Sequence, residues 1–229
     1  MSLRLLIVGH GRMGRLIEGL APGAGATVAG IVSRANAADL GDAARWQDVD
    51  VVIDVSQAEA FLANLPALCR LRRNLVVGTT GWQAEAARVR QLVADAGIGA
   101  VVAANFSVGA NIVEALAGKA AALFAPHAEY GAFIHEAHHA AKRDAPSGTA
   151  LTLRAAVERA SFPRPVDVSS TRAGFIPGTH TVGFDGPAET VVVTHTVRDR
   201  ATFAQGALVA ARWVQGRRGW FTMRDVLGI

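Results

Sequence analysis

The sequence predicts an α/β protein with a doubly wound parallel sheet and a second α+β lobe built on a mixed sheet. Three observations support this class. Short apolar runs alternate with helical patterns over the first hundred residues, a glycine-rich turn follows the first run, and beyond about residue 106 the later strand-like runs follow one another without helices between them. The chain has 229 residues, which is enough for two small lobes with their own cores.

The strands of the first lobe are predicted from five apolar runs, which read LRLLIV, TVAGIV, DVVIDV, NLVVG and IGAVVA. Continuous, β-branched-rich runs of this length are typical of parallel strands covered on both faces. Three segments between these runs are long enough for crossover helices: Met13 to Leu20, Ala58 to Leu71 and Glu85 to Asp95.

The second lobe has a different order of elements. We expect a helix from Asn111 to Phe124, a strand in AEYGAFIHEA, a helix from Ser147, and strands in VDVSSTRA, GTHTVGF and ETVVVTHTVR. Strands that follow one another directly indicate a mixed or antiparallel sheet. The chain then closes with an apolar helix from Phe203 to Gln215 that could pack on the first sheet.

Composition argues against several classes of partner. Lys and Arg number 23 against 19 Asp and Glu, giving a net charge of +4, and the basic residues are scattered, so no nucleic acid partner is expected. The apolar stretches are interrupted by polar residues, so no membrane span is expected either. Cys69 is the one cysteine of the chain, which excludes an intrachain disulfide and fits a soluble protein of a reducing, cytoplasmic compartment.

A glycine-rich turn follows the first strand directly and opens the first helix. Such glycines allow a tight turn, close approach of a pyrophosphate to the backbone, and tight packing of helix on strand. The phosphates then lie at the positive end of the helix. The turn predicts a Rossmann-type dinucleotide site, and its residues are Gly9, His10, Gly11, Arg12, Met13 and Gly14.

The end of the second strand bears on the choice of cofactor. Ser33 and Arg34 stand where an acidic residue would favour NADH. We therefore expect NADPH to be accepted, although Arg34 could also be a solvated loop cation. Two further strand ends, where ligands of open α/β sheets lie, supply candidates for the nicotinamide ribose and amide: Gly78, Thr79 and Thr80, and Ala103, Ala104, Asn105 and Phe106.

Residues 136 to 151, EAHHAAKRDAPSGTAL, place imidazoles, an ammonium group and a hydroxyl-rich helix start close together. Imidazole and ammonium groups are common proton donors near neutral pH, and a helix start binds anions through its backbone N–H groups. The stretch indicates a small carboxylate-bearing substrate with a proton donor beside it. Its candidate residues are His138, His139, Lys142, Ser147, Gly148 and Thr149.

A zinc site is the alternative for this stretch, because His135 to His139 matches H-E-x-x-H and Glu158 could be a third ligand. That motif requires a helix, which brings both histidines to one face. The segment reads as a strand instead, and a metalloprotease would leave the glycine turn unexplained. We therefore expect no metal.

The sequence resembles the dihydrodipicolinate reductase family of lysine biosynthesis. The resemblance lies in VGHGRMG, GTTGW, AANFSVGAN, EAHHAAKRDAPSGTAL and STRAGFIPGTHTVGF, which run in family order over nearly the whole chain. It implies a dinucleotide-binding domain at residues 1–105 completed by residues 206–229, and a substrate-binding and oligomerisation domain at residues 106–205. It also implies NADPH or NADH as cofactor, a dicarboxylate heterocyclic substrate and a homotetramer.

By the same resemblance, His138 would be the acid/base residue and Lys142 the proton donor, with the substrate carboxylates held by His139, Gly148 and Thr149. Arg172 and His180 are weaker candidates for electrostatic support. The glycine turn is one residue shorter than is usual in the family, and the second strand lacks the acidic residue often seen there, so NADPH against NADH stays open. A different NADPH-dependent reductase and a non-enzymatic dinucleotide sensor remain as alternatives.

Overall fold

The computed structural model describes residues 2–229, and it confirms the predicted fold class. Two compact units are formed, one by the residues up to Val108 together with Ala201–Gly228, and the other by Gly109–Arg200. Among the described residues, no helix is both long and apolar enough to span a membrane.

The strands and α-helices alternate in the first half of the chain except between β2 and β3, which are joined by two 3₁₀ segments, Arg34–Gly41 and Ala43–Trp46. In chain order they are β1 (Leu3–Val8), α1 (Arg12–Leu20), β2 (Ala26–Val32), β3 (Val51–Asp54), α2 (Ala58–Arg70), β4 (Asn74–Val77), α3 (Ala86–Asp95), β5 (Gly99–Val102), α4 (Val108–Phe124), β6 (Gly131–His138), α5 (Gly148–Arg159), β7 (Val166–Arg172), β8 (Thr179–Asp185), β9 (Thr190–Thr196), α6 (Ala201–Val214), β10 (Gly219–Phe221) and α7 (Met223–Leu227).

The first unit is built on a six-stranded sheet of order β10-β5-β4-β3-β1-β2. All its pairings are parallel. Alternate residues of each strand face opposite sides, and both sides are covered. Leu6 and Val52 pack with α2 and α3 on one side, whereas Leu5 and Ile53 pack with α1 and α6 on the other. Burial on both faces explains why these strands are continuous apolar runs.

The second unit is built on a four-stranded mixed sheet of order β7-β6-β8-β9. β6 pairs with β7 in parallel and with β8 antiparallel, and β8 pairs with β9 antiparallel. Ile134 and Val182 point to one face of this sheet, where they form a core with Val113 of α4 and Leu153 of α5.

Two elements at the end of the chain were not predicted from the sequence. The chain does not close with the helix that ends at Val214, because β10 follows it and adds a sixth strand beside β5, and α7 comes after that. β10 has only three residues, too few for a recognisable apolar pattern. Its place in the sheet is defined by its parallel pairing with β5. That pairing cannot be predicted from the local sequence.

Replacing Phe61 tests the first core. Phe61 is fully buried on α2 and its ring centroid lies 5.1 Å from that of Trp82. Phe61→Ala is expected to lower the free energy of unfolding by about 3–5 kcal/mol, because it leaves a cavity that the neighbours fill only partly. Val209→Ala is the control, since Val209 is 45% exposed on α6, and its effect should stay near about 0.5 kcal/mol. Urea unfolding measures both; equal effects would contradict this packing.

Candidate active site

The glycine turn lies directly after β1, beside the loop that follows β3. Gly9 has a φ of +97°, and a Cβ at this position would lie 2.7 Å from the Ser56 backbone nitrogen. Only glycine fits both constraints. α1 begins immediately after Gly11, which as N-cap offers no side-chain hydrogen bond. The first N–H groups of α1 and their positive dipole end are therefore available to an anion such as a dinucleotide pyrophosphate.

A cavity of about 480 Å³ adjoins this turn. Its walls come from the ends of three neighbouring strands and from the first turns of α2, and they are lined by Val8, Gly9, His10, Gly11, Val32, Ser33, Arg34, Ala37, Val55, Ser56, Gln57, Ala60 and Asn64. Ser33 caps the turn that follows β2, because its hydroxyl accepts from Ala35 N at 3.3 Å. Arg34 is exposed at this site. These residues fit the adenosine half of a dinucleotide at the topological switch point of an open α/β sheet.

A buried carboxylate, which sequence reasoning missed, joins two strand ends. Asp54 is 1% exposed at the end of β3. Its Oδ1 accepts hydrogen bonds from Thr79 Oγ1 at 2.6 Å and from Ser56 Oγ at 2.7 Å. Burial raises the pKa of Asp54 despite these hydrogen bonds. The predicted cofactor residue Thr79 is thereby fixed against the β3 end, and Thr80 beside it is exposed.

The third predicted cofactor segment follows β5. Ala103 N donates to Val77 O at 3.1 Å, and Ser107 N donates to Asn105 Oδ1 at 2.9 Å. Ala104 is exposed, while Phe106 is 3% exposed. Because parallel strands end at the same edge of a sheet, the structure brings the predicted cofactor residues that follow β1, β2, β4 and β5 to the carboxyl edge of the first unit's sheet.

In the second unit, β6 places Glu136 and His138 side by side. Side chains two residues apart in a strand point to the same face, and Glu136 lies on the face that carries the buried core. Across the register, Glu136 is opposite Ser170 of β7 and His180 of β8, and His138 is opposite Arg172 of β7. Strand pairing therefore assembles this cluster.

Glu136 is the centre of the cluster and is fully buried. Arg172 Nη2 donates to its Oε1 at 2.6 Å and Arg172 Nη1 to its Oε2 at 2.9 Å. His138 Nδ1 pairs with Oε2, and Ser147 N donates to Oε1 at 3.2 Å. Burial alone would raise the pKa of Glu136, but the hydrogen bonds from Arg172, Ser170 and His138 lower it to about 2. Glu136 is therefore an anion at neutral pH.

The predicted acid/base residue His138 is largely buried. Its side chain is 12% exposed, and burial lowers its pKa, an effect that the neighbouring Glu136 partly offsets. The imidazole is therefore mostly neutral at neutral pH. The imidazole of His180 lies next to it, with the two ring centroids 5.0 Å apart. Burial lowers the pKa of His180 as well, to about 4.

The predicted proton donor Lys142 lies in the loop after β6. Its Nζ binds both oxygens of Asp144, at 2.7 and 2.9 Å. Arg172 Nη2 also donates to the Asp144 backbone carbonyl at 2.6 Å. Arg172 thus contacts both Glu136, which binds His138, and Asp144, which binds Lys142.

The predicted anion-binding turn is the start of α5. Ser147 is the N-cap, because its Oγ accepts from Ala150 N at 3.2 Å and also pairs with His180 Nε2 at 2.9 Å. Its hydroxyl is buried and used within the protein. Gly148 is exposed and Thr149 is half-buried at the positive end of the helix, where backbone donors favour an anion. His139 is half-buried and follows β6 directly.

The arrangement does not suit the zinc alternative. The segment is a strand, as predicted, and His135 Nδ1 pairs with Ser169 Oγ at 2.9 Å on the other face of the sheet. Glu136, His138 and His180 do place potential ligand atoms within 4.8 Å of one another. However, Arg172 donates hydrogen bonds to both oxygens of Glu136. Its positive charge, at hydrogen-bond distance from these oxygens, would repel a cation bound to them.

Comparison with known proteins agrees with this geometry. Family models described as "Dihydrodipicolinate reductase, N-terminus" and "Dihydrodipicolinate reductase, C-terminus" match residues 3–106 and 109–227. The chain belongs to the dihydrodipicolinate reductase family. It is therefore an oxidoreductase of lysine and diaminopimelate biosynthesis, and its reaction uses a nicotinamide cofactor.

Individual members of the dihydrodipicolinate reductase family match the full length of the chain. The 4-hydroxy-tetrahydrodipicolinate reductases of Laribacter hongkongensis and Thiobacillus denitrificans are 39% and 38% identical, over 100% of this chain and 99% and 100% of theirs. A dipicolinate-bound dihydrodipicolinate reductase from Paenisporosarcina has the same fold, with a TM-score of 0.78, 20% identity, and coverage of 97% of this chain and 98% of that chain.

The pH dependence of stability tests the environment of Asp54. Its folded-state pKa is raised above the ordinary value of 3.8, so the unfolded state releases this proton first as pH rises. Asp54 therefore destabilises the folded protein increasingly until pH exceeds its folded pKa. Asn keeps the acceptor at Oδ1, so Asp54→Asn should gain stability relative to the parent as pH rises, by urea unfolding between pH 4 and 9.

Asp225→Asn is the control for that series. Hydrogen bonds from Thr222 lower the pKa of Asp225, so its stabilising contribution is present above the ordinary pKa and is lost as pH falls. Because this change lies below about pH 5, the stability difference between Asp225→Asn and the parent should stay nearly constant over most of the same pH series. A stability difference for Asp54→Asn that does not change with pH would contradict the raised pKa.

Proposed function

We propose that the chain reduces the dihydrodipicolinate intermediate formed from 4-hydroxy-tetrahydrodipicolinate to tetrahydrodipicolinate, with His138 and Lys142 handling the proton. The observation that carries this proposal is the linked arrangement of His138, Glu136, Arg172, Asp144 and Lys142 next to an anion-binding helix start. The full-length relatives named 4-hydroxy-tetrahydrodipicolinate reductase support the choice of substrate.

The substrate carries two carboxylates, which must exchange water for donors when they are bound. We assign this role to His139 and to the backbone and side-chain donors of Gly148 and Thr149 at the start of α5. Ser147 contributes by fixing the turn, because its hydroxyl caps the helix and binds His180. Lys142 adds a positive charge in the loop that leads into this turn.

The chemistry needs one proton for each hydride. A bound nicotinamide supplies the hydride. When the hydride reaches one carbon of the conjugated cyclic imine, an electron pair moves to the neighbouring carbon, which then takes a proton. The Lys142 ammonium is the proposed donor, and His138 serves as the acid/base residue beside it. Both are types of group that transfer protons near neutral pH.

The cofactor is NADPH, NADH or both, and its proposed domain comprises residues 1–105 and 206–229, which belong mainly to the first unit. The contacts are assigned to the Gly9–Gly14 turn, Arg34, Gly78–Thr80 and Ala103–Phe106. Arg34 is exposed in the cavity wall beside Ser33. A guanidinium there can bind a 2′-phosphate, whereas Ser33 offers no negative charge to repel one.

Residues 106–205 are the proposed substrate-binding and oligomerisation domain, and we propose a homotetramer in the cytoplasm. One face of the four-stranded sheet packs against α4 and α5. The other carries Thr181 and Thr194, whose hydroxyl oxygens are 3.0 Å apart. The edge strand β9 exposes Val191 at 42% and Val192 at 53%. Exposed apolar side chains on an edge strand favour pairing with another copy of the chain.

Replacing Lys142 tests the assignment of the proton donor. Lys142→Ala is expected to lower kcat by about 10² or more while leaving the Kd for NADPH close to that of the parent. Lys119→Ala is the control, because Lys119 is the other lysine of the chain and is exposed on α4. Oxidation of NADPH followed by absorbance gives turnover, and cofactor fluorescence gives binding. Unchanged turnover would overturn the assignment of Lys142.

Replacing Arg34 tests the cofactor contact. Arg34→Ala is expected to raise KM for NADPH by about tenfold, since a charge-assisted hydrogen bond to phosphate contributes about 1.5–3 kcal/mol. KM for NADH should change little, because NADH lacks the 2′-phosphate, and this second cofactor serves as the internal control. Equal changes in the two KM values would show that Arg34 does not recognise the phosphate.

A further inference from the structure

The buried anion Glu136 takes no part in the steps proposed so far, yet it directly contacts the acid/base residue. It is fully buried, and its carboxylate binds Arg172 through both oxygens. A buried charge is costly unless it is paired and hydrogen-bonded. The pairing with Arg172 stabilises the carboxylate as an anion, which therefore accepts hydrogen bonds and cannot donate one.

This anion determines which nitrogen of His138 carries the proton. His138 Nδ1 lies against Glu136 Oε2, so Nδ1 must be the donor in that pair. In a neutral imidazole the proton is then on Nδ1, and Nε2 keeps its lone pair. Gly178 lies close to Nε2, and a Cβ added at this position would be only 3.3 Å from that atom, so the glycine keeps a side chain away from Nε2.

We propose that Glu136, held in place by Arg172, is a positioning residue for the reduction: it fixes His138 in the tautomer protonated at Nδ1, leaves Nε2 to exchange the catalytic proton, and offsets the charge of the imidazolium. The inference rests on the proposed role of His138. A carboxylate behind an imidazole orients the ring and stabilises its charged form in other proton-transfer sites.

Arg172 extends the effect of Glu136 to the second proton-handling residue. The same Nη2 that binds Glu136 donates to the Asp144 carbonyl, and the Asp144 carboxylate holds Lys142. One guanidinium therefore fixes the supports of both His138 and Lys142. Since small errors in position cost large factors in rate, we expect loss of this support to lower kcat more than it affects substrate binding.

The charged groups around His138 come from every element packed against it. Glu136 is on its own strand, Arg172 is on β7, His180 is on β8, and Lys142 is in the loop after β6. Glu136 is the negative member of this set that contacts the imidazole. Removing its charge leaves Arg172 and Lys142 to disfavour the imidazolium, so the pKa of His138 should fall.

The variant Glu136→Gln tests this inference. The amide keeps the size of the side chain, but its NH2 group can donate to Nδ1 and so favours the opposite tautomer. We expect kcat to fall by about 10² or more, with a smaller change in KM for the substrate. The limb of the pH profile that His138 governs should move to lower pH. Binding of pyridine-2,6-dicarboxylate, which mimics the two carboxylates, should change less than kcat.

Glu114→Gln is the matched control. Glu114 also forms an ion pair in the second unit, with Arg159 at 2.9 Å, and its side chain is 17% exposed. It should keep the parent kcat and pH profile. A Glu136→Gln variant with the parent kcat and pH profile would overturn the inference.

A measurement on the unaltered protein covers the case in which Glu136→Gln does not fold. Nitrogen-15 NMR of labelled histidine distinguishes the two neutral tautomers, and the resonance that disappears in His138→Gln identifies His138. The inference predicts a proton on Nδ1, and a proton on Nε2 would overturn it.

His138→Gln also separates this inference from the proposed function. If turnover survives in His138→Gln, the assignment of His138 itself fails. If turnover is lost there but persists in Glu136→Gln, the assignment of His138 stands and the positioning role of Glu136 fails.

Discussion

The ion pair between Glu136 and Arg172 is the interaction on which the second unit's site depends. A carboxylate with no exposed surface would be strongly destabilising if it were alone, and here it is stabilised by a two-point guanidinium contact, a backbone N–H of the α5 turn and an imidazole. The Ser147 N–H bond fixes the turn that begins α5, and Arg172 also donates to the Asp144 carbonyl in the loop that carries Lys142. Stability and site geometry are therefore coupled in one cluster.

In the first unit, too, a buried carboxylate holds loop residues in place. The segments proposed to bind the cofactor are loops at the carboxyl edge of a parallel sheet, and loops are the parts of a fold most free to move. Asp54 lies below them, where Thr79 and Ser56 donate to one of its oxygens. It fixes two strand ends to each other, and burial raises its pKa. In both units a buried carboxylate thus orders the residues proposed to meet a ligand.

Much of this organisation was predictable from the sequence, for identifiable reasons. The strands of the first sheet are apolar on both faces and stand out as continuous runs, and the glycine turn is a local pattern. Glu136 was missed, although a strand reading of residues 131–138 contains the signal, because side chains two apart share a face. The closeness of Glu136 to His138 follows from this alternation of side chains along the strand.

Other contacts could not be predicted from the local sequence. Arg172 is 36 residues from Glu136, and it reaches the carboxylate only because β7 pairs with β6 in a particular parallel register. Thr79 and Asp54 are likewise brought together by the pairing of β3 with β4. β10 has three residues, too few to be recognised as a strand without its pairing with β5. Register between distant strands is a property of the folded sheet, so a pattern in one segment does not specify it.

The central claim is that the chain is a reductase of a cyclic dicarboxylate, and one assay tests it most directly. Purified protein is mixed with NADPH, and separately with NADH, and then with the freshly generated product of the condensation of aspartate semialdehyde and pyruvate. The account predicts rapid cofactor oxidation that requires this product and is inhibited by pyridine-2,6-dicarboxylate. Cofactor binding without oxidation in either mixture would contradict it.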